Sequence, residues 1–580
     1  VKFRGCFFLG LVLLWLPALS ARAEFEFFKR DVDVLTSTTV RAASAIERVP
    51  PRGFFPIKIS IHNGYPQPRS WAVTFRSQPQ YGNGGVRFLS SHAVTTPGLS
   101  DTEHVFMVPL ATKLDRSVEG ELQIQVRSGA MVAQGTVPGM MTTDWRSVAF
   151  SKGLAGLNNL DQLTKAVEAR GTLSSSGQPL AVIFEPSELP ADWRVLTGFD
   201  AVLLSRQEWD LLDPTLRETL TGWVRLGGHL HLFGPDGAGA EDLGMGRLVR
   251  WSWDGLKIPS QQVAAPLDNA PSLIQSLRNE YLANPLQQAF GEKDFNPWLV
   301  FIILSVFVIV IGPVNLQVWA KPGRRHLLFV TTPLISLSAS LILLFIIVLG
   351  DGFGGTGRRV GFVLLRSQAG ERLAHLIQEQ VGRTGVLMGR QFPASENAWF
   401  LPVVMKKSRW TQFDDLYAIE ANFEESDGQL GGDWFRSRSE QIHLVRAALP
   451  TRSRIEEVEP AVGDQPPRLF NSLGYGLKSF CYKDATGKFW RSPGPVPSGQ
   501  AISLEPIPAK THAEVWTQAR SFFSSGWEVK IGKLSSQNNQ FLAEADDPGA
   551  QLVPSLRSIK WQGDRLFVAG EPVNRTATAP

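Results

Sequence analysis

Two uncharged apolar runs, 298–319 and 327–350, separated by the short basic turn Lys321-Pro322-Gly323-Arg324-Arg325-His326, constrain this chain more than any other feature. Each exceeds the roughly 20 residues that a helix needs to cross about 30 Å of hydrocarbon. Each is also apolar on every face, which helices of soluble proteins rarely are. The expectation is a two-helix transmembrane hairpin over 297–350 with the lipid bilayer as its first partner. Lys and Arg in short loops stay on the cytoplasmic side, so the turn is expected in the cytosol and both flanking regions outside it. Neither run contains Asp, Glu, Lys, Arg or His, which argues against an ion or proton path. Pro313 and Pro333 are expected to kink the helices or to mark their ends.

The start of the chain agrees with this topology. Residues 1–23 place Lys2 and Arg4 before an apolar stretch and Ala21-Arg22-Ala23 after it, the order of a cleavable secretory signal peptide. The alternative is an uncleaved anchor, for which the stretch interrupted by Pro17 is short. From 24 to 140, PIKISIHN (56–63), SWAVTFRS (70–77), HVFMVPL (104–110) and ELQIQVRS (121–128) alternate with period two, as in an antiparallel, Ig-like β-sandwich. Asn63-Gly64 and Asn83-Gly84-Gly85 supply turn chemistry.

Between 144 and 253 the rhythm becomes strand, helix, strand: SVAF (147–150), a helix at 159–170, LAVIF (180–184), DAVLL (200–204), the helix TLRETLTGWVRL and then HLHLFG (229–234). This pattern predicts a mainly parallel sheet covered by helices. A helical connector at 254–296, with a helix at 272–283, leads to the first apolar run. After the second run, 351–580 reads as a β-rich α+β domain. It has strands at VGFVLL, SFCYKD, QFLAEA and RLFVAG, helices at ERLAHLIQEQV (371–381) and HAEVWTQARSFF (512–523), and a loose polar tail, GEPVNRTATAP. Gly352, Gly354 and Gly357 make a literal G-x-G-x-x-G, but an apolar helix precedes it and a strand follows, so a flexible exit linker is expected rather than a dinucleotide loop. Arg358 and Arg359 are placed to touch lipid headgroups.

The run FDAVLLSRQEWDLLDPTLRETLTGWVRLGGHLHLFGPDG (199–237) resembles the glutamine-amidotransferase-like, flavodoxin-type domain of uncharacterised bacterial multidomain membrane proteins. LGMGRLVRW (243–251), IGPVNLQVW (311–319) and NSLGYGLKSFCYKDATGKFW (471–490) extend the resemblance to about half the chain. It implies a class I amidotransferase-like α/β fold whose active members use a cysteine with a histidine partner. This chain has only two cysteines, Cys6 and Cys481, and none between 24 and 480, so the resemblance implies the fold without thiol chemistry.

Ligands of open α/β sheets lie beyond the carboxyl ends of the strands, which nominates Ser151, Glu185, Ser205 and Asp236 as ligand-binding candidates by position. His229 and His231 share one face of a strand but lack an evident third ligand, so no metal site is expected. Cys481, between Phe480 and Tyr482, reads as a packed small hydrophobe. No catalytic residue and no cofactor is assigned. The net charge of +4 and the lack of a basic run outside the turn give nucleic acid no footprint. The reading is a non-catalytic scaffold or ligand sensor of the bacterial cell envelope, held in the inner membrane among other envelope or membrane proteins. The alternative is an exported hydrolase or transferase using non-cysteine residues at the strand ends.

Overall fold

A computed structural model describes residues 24–79, 86–111, 119–141, 147–158, 181–235, 237–259, 285–288, 297–365, 373–395, 397–406, 421–463 and 465–575, with 160, 162, 165 and 262 singly. The leader, the turn at 83–85, the connector helix at 272–283, most of the helix at 159–170 and Asp236 lie outside the described residues.

The N-terminal region is built from two antiparallel sheets. One runs Phe25–Asp33, Thr38–Ser44, Phe54–Asn63, Ser100–Pro109 in space. The other contains Val86–Thr96, Arg69–Pro79, Glu119–Ser128 and Met131–Met141. Their alternating inward residues, among them Ile57, Ile59, Trp71, Val73, Phe75, Ile124 and Val126, form a common core. This second sheet does not stop at its own segment. Ala421–Ser426 pairs in parallel with Val86–Ser91, Gln429–Gly432 pairs with Ala421–Ser426, and Phe392–Pro393 closes the edge. Three strands from beyond the apolar helices thus complete a seven-stranded sheet begun before them.

The next region is a six-stranded sheet ordered Val182–Phe184, Val148–Ser151, Ala201–Ser205, His229–Gly234, Gly246–Ser252, Gly239–Leu243. The first five are parallel and the last is antiparallel. The helix Pro214–Arg225 starts on Asp213, whose carboxylate accepts from Thr215 N–H (2.8 Å), and buries Leu220, Trp223 and Val224. The N-terminal region is stitched to this sheet at its edge. Glu47 N–H donates to Ile183 O (3.0 Å), Glu185 N–H to Ala45 O (2.8 Å), and Phe54 N–H to Thr197 Oγ1 (3.1 Å). A buried ion pair, Arg52 with Asp200, closes the same joint.

Among the described residues, two helices are long and apolar enough to cross a membrane. The first is α-helical over Pro297–Ile309 and widens into a π-helix over Val310–Trp319, which accommodates Pro313. The second, Leu328–Asp351, runs on through Pro333. Asn315 Nδ2 donates to Thr332 Oγ1 (3.2 Å) between them.

The C-terminal region centres on Gly355–Leu365, which leaves the second apolar helix directly for the interior of a ten-stranded sheet. It pairs with Leu373–Thr384 on one side and Arg565–Gly570 on the other. Helix Ala509–Arg520 lies where expected, and Cys481 is buried in Leu477–Lys483.

Four expectations are corrected. The helix expected over 371–381 is instead the strand Leu373–Thr384; almost all of it is buried, so its two faces carry no alternation to read. The glycines after the second helix are not a free linker, because Gly352 O accepts from Val386 N–H (2.9 Å) and Gly354 N–H donates to Val386 O (3.0 Å). Arg359 is buried against Asp564 and over the Trp561 ring rather than turned to lipid. The tail is partly held, since Val573–Asn574 pairs with Glu456–Glu457.

Candidate functional site

In the α/β sheet the strand order reverses between Val148–Ser151 and Ala201–Ser205, and the crevice beyond their carboxyl ends is where such sheets take ligands. Ser151 and Ser205 end these strands and cap the helices that follow, Lys152–Leu157 and Arg206–Leu211. The structure brings the two serines together on a residue that the strand-end rule does not reach. Glu208 Oε2 accepts from Ser151 Oγ and Ser205 Oγ, both at 2.7 Å, and from Ser205 N–H at 3.0 Å, while Oε1 accepts from Gly153 N–H at 2.9 Å. A Cβ at Gly153 would stand 2.4 Å from Glu208 Oε1, so this approach requires glycine. The signal was present as Ser205-Arg206-Gln207-Glu208, an S-x-x-E capping box, and both of its reciprocal bonds form.

The crevice is therefore filled by the chain's own carboxylate. Backbone N–H groups at a helix start favour an anion there, and Glu208 is that anion. Both hydroxyls donate their protons to it. Glu185 is drawn to the joint with the N-terminal region by its N–H bond to Ala45, and its carboxylate accepts from Ser187 Oγ (2.9 Å).

His231 is buried under Trp251, whose indole N–H donates to His231 Nδ1 (3.0 Å) with the rings stacked. His229 is half-buried in the same strand. Among the described residues no group of three or more His, Cys, Asp or Glu is placed to hold a metal. Burial pushes the Cys481 thiol up to about 12, which leaves it protonated and inert near neutrality.

A second place collects polar groups that sequence position alone would not unite. Glu425, on the added strand Ala421–Ser426, faces a cavity of about 40 Å³, room for about one water, lined by Phe54, Phe88, Arg194, Trp399 and Trp434. Arg194 is held in a fork by Asp192 and lies 5.1 Å from the Phe54 ring. Phe423 packs between Phe88 and Trp434 to wall the cavity. Part of Glu425 meets solvent, yet the surrounding rings strip enough water to push its carboxyl up to about 7, with Arg194 pulling it partly back. This carboxyl changes charge near neutrality at the junction of all three folded regions.

No protein-family model matches this chain, and no curated protein matches it.

Proposed function

We propose that this chain is a membrane-anchored cell-envelope protein, a non-catalytic scaffold or ligand sensor, with its folded regions held outside the cytoplasm by the two-helix hairpin. A bacterial inner membrane is the site that the leader and the basic turn favour. The strand order 2-1-3-4, followed by a parallel fifth strand and an antiparallel edge, supports the flavodoxin-type, amidotransferase-like reading of the α/β region.

One observation carries the non-catalytic reading: Glu208 occupies the strand-end crevice and engages both serines that could have served a substrate. The sharing of one β-sheet between segments before and after the hairpin supports the scaffold role, because it makes the folded regions one continuous surface. Sensing belongs at the Glu425 cavity, where a carboxyl that titrates near neutrality and a fixed guanidinium face the same small space.

The test is affinity isolation of the intact protein from washed membranes, with hydrolysis of glutamine and of model esters assayed on the same material. The expected result is retention of envelope proteins without turnover. Turnover abolished by Ser151→Ala or Ser205→Ala would reverse the reading in favour of the hydrolase. The topology has its own check: a probe cysteine at Arg324 should be shielded from outside reagents while one at Gly487 reacts.

A further inference from the structure

Where the second apolar helix ends, the backbone is tied at once to a loop distant in sequence. Leu328–Asp351 is followed by Gly352, whose carbonyl accepts from Val386 N–H (2.9 Å); Gly354 N–H donates to Val386 O (3.0 Å), and Gly385 N–H donates to Gly354 O (2.7 Å). Gly352 (φ +71°) and Gly354 (φ +78°) are both left-handed, which turns the chain out of the helix within three residues. The far side of the loop is equally fixed. Arg438 N–H donates to Gly385 O (2.8 Å) and Leu387 N–H to Ser437 Oγ (3.0 Å). Arg438 itself is held at φ +60°, a conformation that persists only where the surroundings over-determine it.

What this rigid loop presents outward is apolar. Met388 is 87% exposed, and Phe353, bridged through its backbone to Val386, is 70% exposed. The exposed Arg390 follows two residues later. At a rise of about 1.5 Å per residue the 24-residue helix is about 36 Å long, against about 30 Å of hydrocarbon, so its last turn reaches the headgroup layer. Residues bonded to 352–354 lie beside that layer.

We propose that Phe353 and Met388 form a foot that inserts shallowly into the lipid leaflet around the exit of the second helix, with the bilayer as partner. The proposal rests on the reading that the two apolar helices span a membrane. Lipid is favoured over a protein partner by continuity: three backbone hydrogen bonds hold the loop to the helix exit, so whatever covers Met388 shares its space with the lipid surrounding that helix. Two large exposed apolar side chains with an exposed arginine two residues on, itself 3.9 Å from Asp433, have the mixed apolar and cationic composition of a membrane interface. A foot on a rigid loop that joins the ten-stranded sheet fixes the tilt of the exported body, which the two helices alone would leave free to lean.

The experiment uses the full chain with Cys6→Ala and Cys481→Ala, reconstituted into vesicles of phosphatidylcholine and phosphatidylglycerol. It carries one environment-sensitive fluorophore at a time, on Met388→Cys, Ser340→Cys in mid-helix, or Leu35→Cys at a hairpin tip of the N-terminal region, where Leu35 is 97% exposed. Lipids spin-labelled at carbon 5 or carbon 12 serve as shallow and deep quenchers. The Met388 label should be blue-shifted and quenched several-fold more by the shallow than by the deep lipid. The Ser340 label should show the reverse preference, and the Leu35 label should remain unquenched. An unquenched Met388 label beside a quenched Ser340 label overturns the foot and leaves the spanning reading standing. Unquenched labels at both positions take down the spanning reading and the foot with it. A Leu35 label quenched as strongly as Met388 also overturns the foot, because the probe's own hydrophobicity would then explain the signal.

Discussion

Two half-buried carboxylates, Glu208 and Glu425, face crevices in the same body and have opposite surroundings. Glu208 accepts from two hydroxyls and two backbone N–H groups, so its charge is met entirely by fixed donors. Glu425 faces aromatic rings, and Arg194, the cation that acts on it, is already held by Asp192. Burial without donors raises a carboxyl's pKa, as it does at Glu425. The difference separates a closed joint from a place that can still respond. Position at a strand end is a poor guide to which is which, because it singles out the closed one.

The sharpest way to break this contrast is Glu208→Ala, which strands two hydroxyls and two N–H groups. The expected loss is about 3 kcal/mol by urea unfolding, since each part-buried polar group left unpaired costs about 1 kcal/mol or more. A loss below about 1 kcal/mol would mean water replaces Glu208 freely and the crevice is open after all.

Next in size is Glu425→Gln. The folded carboxyl titrates at about 7, above the ordinary value of 4.5, so its protonated form suits the fold. Its contribution is intact below about pH 4.5 and is lost as the pH rises through 7. The variant should therefore match the parent at pH 4 and exceed it by on the order of 1–2 kcal/mol at pH 8, after allowance for partial solvent screening. Parallel pH–stability curves for the two proteins would show that Glu425 is solvated like any surface acid. Arg194→Met should move the same transition to higher pH.

Ser205→Ala removes one helix cap and one of the donors to Glu208, and about 1 kcal/mol should be lost in thermal unfolding. The smallest effect is expected at Cys481→Ala: about 1 kcal/mol or less of stability, and no change in whatever the intact protein retains in affinity isolation. Loss of retention in a folded Cys481→Ala protein would bring thiol chemistry back.

Much of the fold was legible because one face of each N-terminal strand meets solvent, so alternation survives in PIKISIHN and SWAVTFRS. Leu373–Thr384 was not, because burial on both faces removes alternation. Leu373, Leu376, Ile377 and Val381 then fall by chance at helical spacing. Ser151 and Ser205 were legible from the strand-end rule, and Glu208 could have been read from its capping box. Glu425 could not be announced by its own strand, since its carboxyl is raised by burial in a cavity whose walls combine nearby Trp399 and Trp434 with Phe54 and Phe88 from hundreds of residues away.

The strand Ala421–Ser426, which completes the sheet begun by Val86–Thr96, has a consequence for the order of synthesis. A ribosome making 5–20 residues per second finishes the earlier strand on the order of tens of seconds before the later one exists. Both apolar helices must be made in that interval. The nascent N-terminal region therefore waits with an unpaired strand edge, the kind of edge that recruits other chains. A cell making this protein needs something to shield that edge until the last third of the chain arrives, and truncation after the hairpin should leave a species prone to aggregate rather than a smaller working protein.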